Sequence, residues 1–284
     1  VDTNYIVDSL LPSEMAHKAE EAGVKKANMS GLTMFVLAVL AGSFIALGAI
    51  FFTVTVTGDL TFGIKKLLGG IVFSLGLILV IVGGAELFTG NNLIVMAWAS
   101  GRITVFQIFR NWIVVYAGNL VGSLSTAVLM FFTGQYTFAK GQVGITALTI
   151  AQAKCSLTFT QALMLGIMCN VLVCLAVWLC FSARTTTDKI LSIIFPITAF
   201  VAAGFEHSIA NMYFIPIGLL IRSFAGPDFW AVTGVQRDHF VDLTVSNFLF
   251  GNLLPVTIGN IIGGTIMVGI VYWFVYLREK KKTQ

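Results

Sequence analysis

The sequence predicts an all-α membrane protein with six transmembrane helices, and three observations carry that reading. The first is composition: 57% of the residues are hydrophobic and only 11% are charged, where a soluble domain carries about 25% charged residues. The second is the placement of charge. Six runs, 27–58, 67–101, 111–139, 155–183, 190–221 and 243–277, hold no ionisable charge except Glu86 in the second and Glu206 with His207 in the fifth. The third is run length. Each run exceeds the roughly 20 residues a helix needs to cross about 30 Å of hydrocarbon, and far exceeds the roughly 10-residue alternating segments of a membrane β-barrel. A single helical membrane domain over 30–278 is expected, between a surface segment at 1–29 and a basic tail at 279–284.

In chain order, SLLPSEMAHKAEEAGVKK (residues 9–26) comes first. Pro12 and Ser13 open a helix, with Glu14, Glu20 and Glu21 early or on a polar face. Leu10, Leu11, Met15, Ala19 and Ala22 give it a weak apolar side. A short amphipathic helix at the membrane surface is expected, acting as an anchor; packing on a neighbouring subunit, gating a pore and contact with a cytoplasmic partner are the other readings. The opening residues are acidic and polar rather than basic, so no cleavable leader is expected.

Most of the 17 basic residues fall on one side of the six spans: Lys18, Lys25 and Lys26, then Arg102 and Arg110, then Arg184 and Lys189, then Arg278 and Lys280 to Lys282. Lys65, Lys66, Lys140, Lys154, Arg222 and Arg237 fall on the other. The bias puts both termini in the cytoplasm. The net charge of +4 reports this topology. No basic patch interleaved with stacking aromatics points to nucleic acid.

The second run is too long for one straight span: continuous helix at 1.5 Å per residue would measure about 52 Å. Phe88-Thr89-Gly90-Asn91-Asn92 is poor helix material, so this span is expected to break there. The fifth is expected to break at Gly204-Phe205-Glu206-His207-Ser208. A break frees backbone N–H and C=O groups where no water can reach them. Glu86 and Glu206 read as acceptors for the loop N–H groups; direct contact with a permeant is the alternative. Two half-helices starting at the breaks would turn their positive dipole ends to a common point, which favours an anion.

A faint internal repeat supports this. Glu86 and Glu206 both open E-x-x-x-x-N, closing on Asn91 and Asn211. GNLVG (118–122) in the third span matches GNIIG (259–263) in the sixth. Three spans per copy require the second copy to enter from the opposite side, so a 3+3 inverted repeat with interrupted helices 2 and 5 is expected.

His207 stands at a predicted break beside an acid and a serine, and its imidazole exchanges a proton near neutral pH. Thr89 in the partner break offers it a hydroxyl. Asn170 and Asn260 lie deep in apolar runs, either bonding helices together or lining a path. Phe73, Leu77, Leu87, Phe88 and Phe200 read as packing by default and as the candidate water-excluding constriction of a path, with Phe73 and Leu77 on one face at i, i+4. Cys155, Cys169, Cys174 and Cys180 form no CxxC pair, so neither a metal nor a redox site is expected. With no metal-ligand cluster or phosphate loop, neither a cofactor nor an enzyme activity is expected.

IVGGAELFTG (81–90) and GIMCNVLVCLA (166–176) resemble the two signatures of the formate–nitrite transporter family, GFEHSIANM (204–212) and NLLPVTIGNIIGG (252–264) are similar to its fifth and sixth spans, and the likeness covers nearly the whole chain. The resemblance implies an aquaporin-like fold, a homopentamer with one pore per protomer, a place in the bacterial inner membrane and formate as permeant. It makes His207 the central pore histidine with Thr89 opposite, and Phe73, Leu77, Leu87 and Phe200 the hydrophobic slits. It makes Asn170 and Asn260 pore asparagines, and Lys154 an anion-attracting lysine. A lent proton from His207 would let formic acid cross the slits, with acid pH favouring uptake. A nitrite or other small-anion transporter of the same family is the alternative. A water or neutral-solute channel is remote, because Asn91 and Asn211 open no Asn-Pro-Ala box.

Overall fold

A computed structural model describes residues 9–278, and the basic tail expected at 279–284 lies outside them. Helix α1 (Pro12–Ala27) opens on Pro12, and the Glu14 carboxylate accepts from the Leu11 N–H at 2.8 Å. The middle of its weak apolar side is buried against the chain itself, while Leu11 stays exposed. Met15, Ala16 and Ala19 pack with Leu93, Met96, Cys174 and Trp178, and Arg102 pairs with the Glu20 carboxylate at 3.0 Å. Helix α1 is thus docked on the body of the protein.

Helices α2 (Gly31–Thr55) and α3 (Phe62–Gly83) follow. After a non-helical stretch, a 3₁₀ turn (Gly90–Ile94) leads into α4 (Val95–Ala99). Then come α5 (Val105–Phe132), α6 (Gln142–Cys155), α7 (Phe159–Ser182) and α8 (Thr186–Ala203). A second break precedes α9 (Ser208–Phe224), which turns by 104° into α10 (Pro227–Thr233). The last span, Asn247–Tyr276, contains α11 (Leu254–Ile262) and α12 (Val271–Tyr276) joined by wider π-helical turns. Among the described residues, six helices are long and apolar enough to cross a membrane, or seven counting the bent α9–α10 pair. This is a multi-pass membrane protein.

Sequence did not foresee α6. Bounded by Lys140 and Lys154 and only 14 residues long, it is too short to span and reads as a loop. It packs against α9 as α1 packs against the turn after α3.

The spans approach one another through glycine. A Cβ on Gly42 would strike the backbone of Asn119 in α5, and one on Gly259 would strike the Leu163 carbonyl in α7. Lipid tails are as apolar as the helix surfaces, so close backbone approach is what holds such spans together. Gly259→Val is expected to force α7 and the last span apart, at about 1–3 kcal/mol for overpacking of this kind. A lowered thermal midpoint of the detergent-solubilised protein checks it, with Gly226→Ala as control, since a Cβ there meets open space.

Candidate functional site

Both breaks begin at a glycine with positive φ, a conformation that glycine enters without a Cβ penalty. Gly84 (φ +81) ends α3 and Gly204 (φ +74) ends α8. The second break lies where the sequence places it. The first starts earlier, at Gly84, and Gly90, Asn91 and Asn92, expected inside the gap, already belong to the 3₁₀ turn Gly90–Ile94.

The loop backbones are closed by asparagine amides, which correct the role expected of the carboxylates. In the first break, the Glu86 N–H donates to the Leu37 carbonyl at 3.2 Å and the Phe88 N–H to Asn119 Oδ1 at 3.0 Å. Asn119 Nδ2 in turn donates to the carbonyls of Glu86 (2.9 Å) and Ala38 (2.7 Å). The second break repeats the pattern. Glu206 N–H donates to the Leu165 carbonyl and Ser208 N–H to Asn260 Oδ1, while Asn260 Nδ2 donates to the Glu206 and Gly166 carbonyls. An amide both donates and accepts, so one side chain serves an orphan N–H and an orphan C=O together. A carboxylate only accepts.

The carboxylates take lysines and side-chain amides instead. Glu86 accepts from Lys26 Nζ at 2.6 Å and Asn91 Nδ2 at 2.7 Å; Asn91 also donates to Asn111. Glu206 accepts from Lys154 Nζ at 2.8 Å, Asn211 Nδ2 at 2.7 Å and Asn252 Nδ2 at 3.2 Å; Asn211 also donates to Asn252. Asn111, Asn119 and Asn252 were not singled out in the sequence. Their signal is there: Asn111 and Asn119 stand at the same N-x₇-N spacing as Asn252 and Asn260.

The two networks match, but the residues between them do not. Where the second break has His207, the first has Leu87. His207 Nε2 lies 2.9 Å from Thr89 Oγ1, and both side chains are buried. His207 Nδ1 accepts from the Ala210 N–H at 3.1 Å, capping α9. That bond assigns the tautomer: the ring proton sits on Nε2 and is donated to Thr89. The Thr89 carbonyl accepts from Asn170 Nδ2 and Asn92 Nδ2, each at 3.2 Å, and from Cys174 Sγ at 3.4 Å. Asn170 Nδ2 also donates to the Asn260 carbonyl at 2.6 Å. The two expected pore asparagines therefore spend their amides on the loops that hold Thr89 and His207.

Two hollows flank this pair. One, of about 290 Å³, is lined by Phe73, Phe200, His207, Lys154, Glu206 and Lys66 among others. The other, of about 400 Å³, takes Leu77, Leu87, Gly90, Glu86, Lys25 and Lys26 into its wall. Phe73 and Phe200 meet edge to face at 5.7 Å between ring centres, and Phe200 stacks on His207 at 6.0 Å. Phe88 lines neither hollow. Leu87 lines the second hollow, while Phe88 packs on Trp112 and Tyr116. Lys154 does reach the first hollow, but bonded to Glu206. The two half-helices are also unequal: α9 has 17 residues, whereas the first break leads only into a five-residue turn and a five-residue α4. The positive end of α9 is the stronger dipole at the centre.

The family model described as formate/nitrite transporter matches residues 13–274. The chain is 53% identical to the formate channel FocA of Escherichia coli K12, covering 96% of each protein. It is 46% identical to the formate channel FocA of Haemophilus influenzae, over 92% of this chain and 93% of that one. Among solved structures, a pentameric formate channel with formate bound superposes with a TM-score of 0.83 at 49% identity, covering 87% of this chain and 98% of that one. With the paired breaks, the buried histidine and the flanking hollows, these matches identify the chain as a member of the formate/nitrite transporter family.

Proposed function

We propose that the protein conducts formate through each protomer of a homopentamer in a bacterial inner membrane, with both termini in the cytoplasm. The observation that carries this is the buried Thr89–His207 pair between two hollows, in a chain more than half identical to a formate channel. The matched networks at Glu86 and Glu206 support an inverted 3+3 repeat of aquaporin-like design, in which helices 2 and 5 are the interrupted ones.

Formate is a carboxylate and is almost wholly ionised at pH 7. An anion in an apolar slit carries a large desolvation cost. Phe73 with Phe200, and Leu77 with Leu87, form the slits of this reading. Between them the Nε2–H of His207 turns from Thr89 to a formate oxygen, and the positive end of α9 adds to its hold. Asn170 and Asn260 keep Thr89 and His207 in position. Complete proton transfer to formate requires a ring that carries a second proton on Nδ1, and that ring must release the Ala210 N–H. Proton lending is therefore tied to a local loosening of the first turn of α9.

The test is formate flux into liposomes containing the purified protein, with internal pH and membrane current recorded together. Internal acidification with little current means formic acid, or formate with a proton, crosses. Current without matching proton movement means the anion crosses alone and His207 is a hydrogen-bonding station. No formate flux ends the proposal, and nitrite is then the next permeant to try.

A further inference from the structure

Each hollow has in its wall one half-buried lysine that already has a carboxylate. Lys154 is 2.8 Å from Glu206, and Lys26 is 2.6 Å from Glu86. A pair at that distance has no net charge, and its field falls off as a dipole. Lys154, the residue expected from resemblance to attract anions, gives the first hollow little long-range pull.

Lys66 is differently placed. It lies in the first turn and a half of α3, half-buried, in the wall of the same hollow. Among the described residues no carboxylate stands within ion-pair distance of it; its ammonium sits 5.6 Å from the ring centre of Phe62. A Cβ on Gly204 would be 3.9 Å from the Lys66 Nζ, so the ammonium is beside the backbone that opens the second break. That backbone is the C-terminal end of α8, the negative end of a helix dipole, which repels an anion.

We infer that Lys66 is the anion-recruiting residue of the hollow on the His207 side: it supplies the net positive charge there and offsets the end of α8, while the Lys154–Glu206 pair maintains the shape of the break. This rests on the function proposed above. Charge lining a concave site with low-dielectric walls concentrates the opposite ion and raises its entry rate. Lys25 is the corresponding cation of the other hollow, but it stands exposed on α1, so Lys66 gives the sharper test.

The experiment compares wild type, Lys66→Gln and Lys66→Arg in proteoliposomes, by the initial formate flux at low formate concentration across a salt series. Wild-type flux is measured first. Lys66→Gln is expected to pass formate about three- to tenfold more slowly at low salt, as for loss of a steering charge. The gap is expected to close at about 0.5 M salt, where screening reduces fields to a few ångströms. Lys66→Arg is expected to retain the wild-type rate and salt slope. Equal flux of Lys66→Gln and wild type at low salt overturns the inference. So does a loss that persists unchanged at high salt, because that reports altered structure. If wild type passes no formate, the permeant assignment fails; the same series run with nitrite then decides Lys66 separately, and no salt-sensitive difference there overturns it too.

Discussion

Asn260→Leu is expected to destabilise the protein by about 2–6 kcal/mol, on the basis of two buried polar groups left unpaired at about 1–3 kcal/mol each. The side chain is fully buried and nearly the size of leucine, so the change removes polar atoms without opening a large cavity. It removes the acceptor for the Ser208 N–H and the donor to the Glu206 carbonyl. The Glu206 carbonyl lies in the break and the Ser208 N–H in the open first turn of α9, so neither has a partner within a helix, and a bilayer provides no water to replace the lost one. The Gly166 carbonyl, the third partner, lies within α7 and suffers less. Asn119→Leu is expected to act the same way on the first break, through the Phe88 N–H and the Glu86 carbonyl. Unfolding in a titration of SDS against mild detergent measures both. Stabilities within about 0.5 kcal/mol of wild type would mean that the breaks close by some other route, since that is the scale of an ordinary surface substitution.

The predicted loss at Asn260 also marks the limit of what the sequence made legible. Composition and charge spacing are enough to place the spans, because a long apolar run in a charge-poor chain has few structural outcomes. The need for breaks follows from length, and the second was located because glycine, an acid and a histidine interrupt it together. The first was placed late: Asn91 and Asn92 drew the break toward them, although Gly84 ends α3 through its backbone conformation. Asn91 and Asn92 sit instead in the turn that restarts the helix. The carboxylates stand out in their apolar runs, but sequence alone suggests the loop N–H groups as their partners. The true partners, Lys26 and Lys154, are distant in sequence, and only the docking of α1 and α6 brings them to the breaks. Phe88 fell on the wrong side of its loop because composition gives no direction to a side chain outside a regular period.

His207→Phe is the second large effect expected. Phenylalanine keeps a planar ring to stack on Phe200, so the slit retains its shape. It loses both the Nε2–H that faces Thr89 and the Nδ1 acceptor that caps α9. A hydrogen bond to a charged partner contributes about 1.5–3 kcal/mol. If formate ion depends on that bond at the narrowest point, flux at pH 7 should fall about 10- to 100-fold, at a tenfold change for each 1.4 kcal/mol. The pH dependence should change as well. In the variant the only species able to cross is neutral formic acid, whose concentration rises tenfold for each unit of acidification well above the acid's pKa. Log flux should then climb with unit slope as pH falls. Wild type should lie above that line at neutral pH and approach it in acid, because the histidine admits the ion where little acid is present. Loss of the cap is worth about 1 kcal/mol, so a stability measurement on the same preparation separates a loosened α9 from a lost hydrogen bond. A folded variant that moves formate at the wild-type rate, with the wild-type pH profile, would deny His207 both roles. The slits alone would then set the path, leaving the Thr89–His207 bond as a strut between the two breaks.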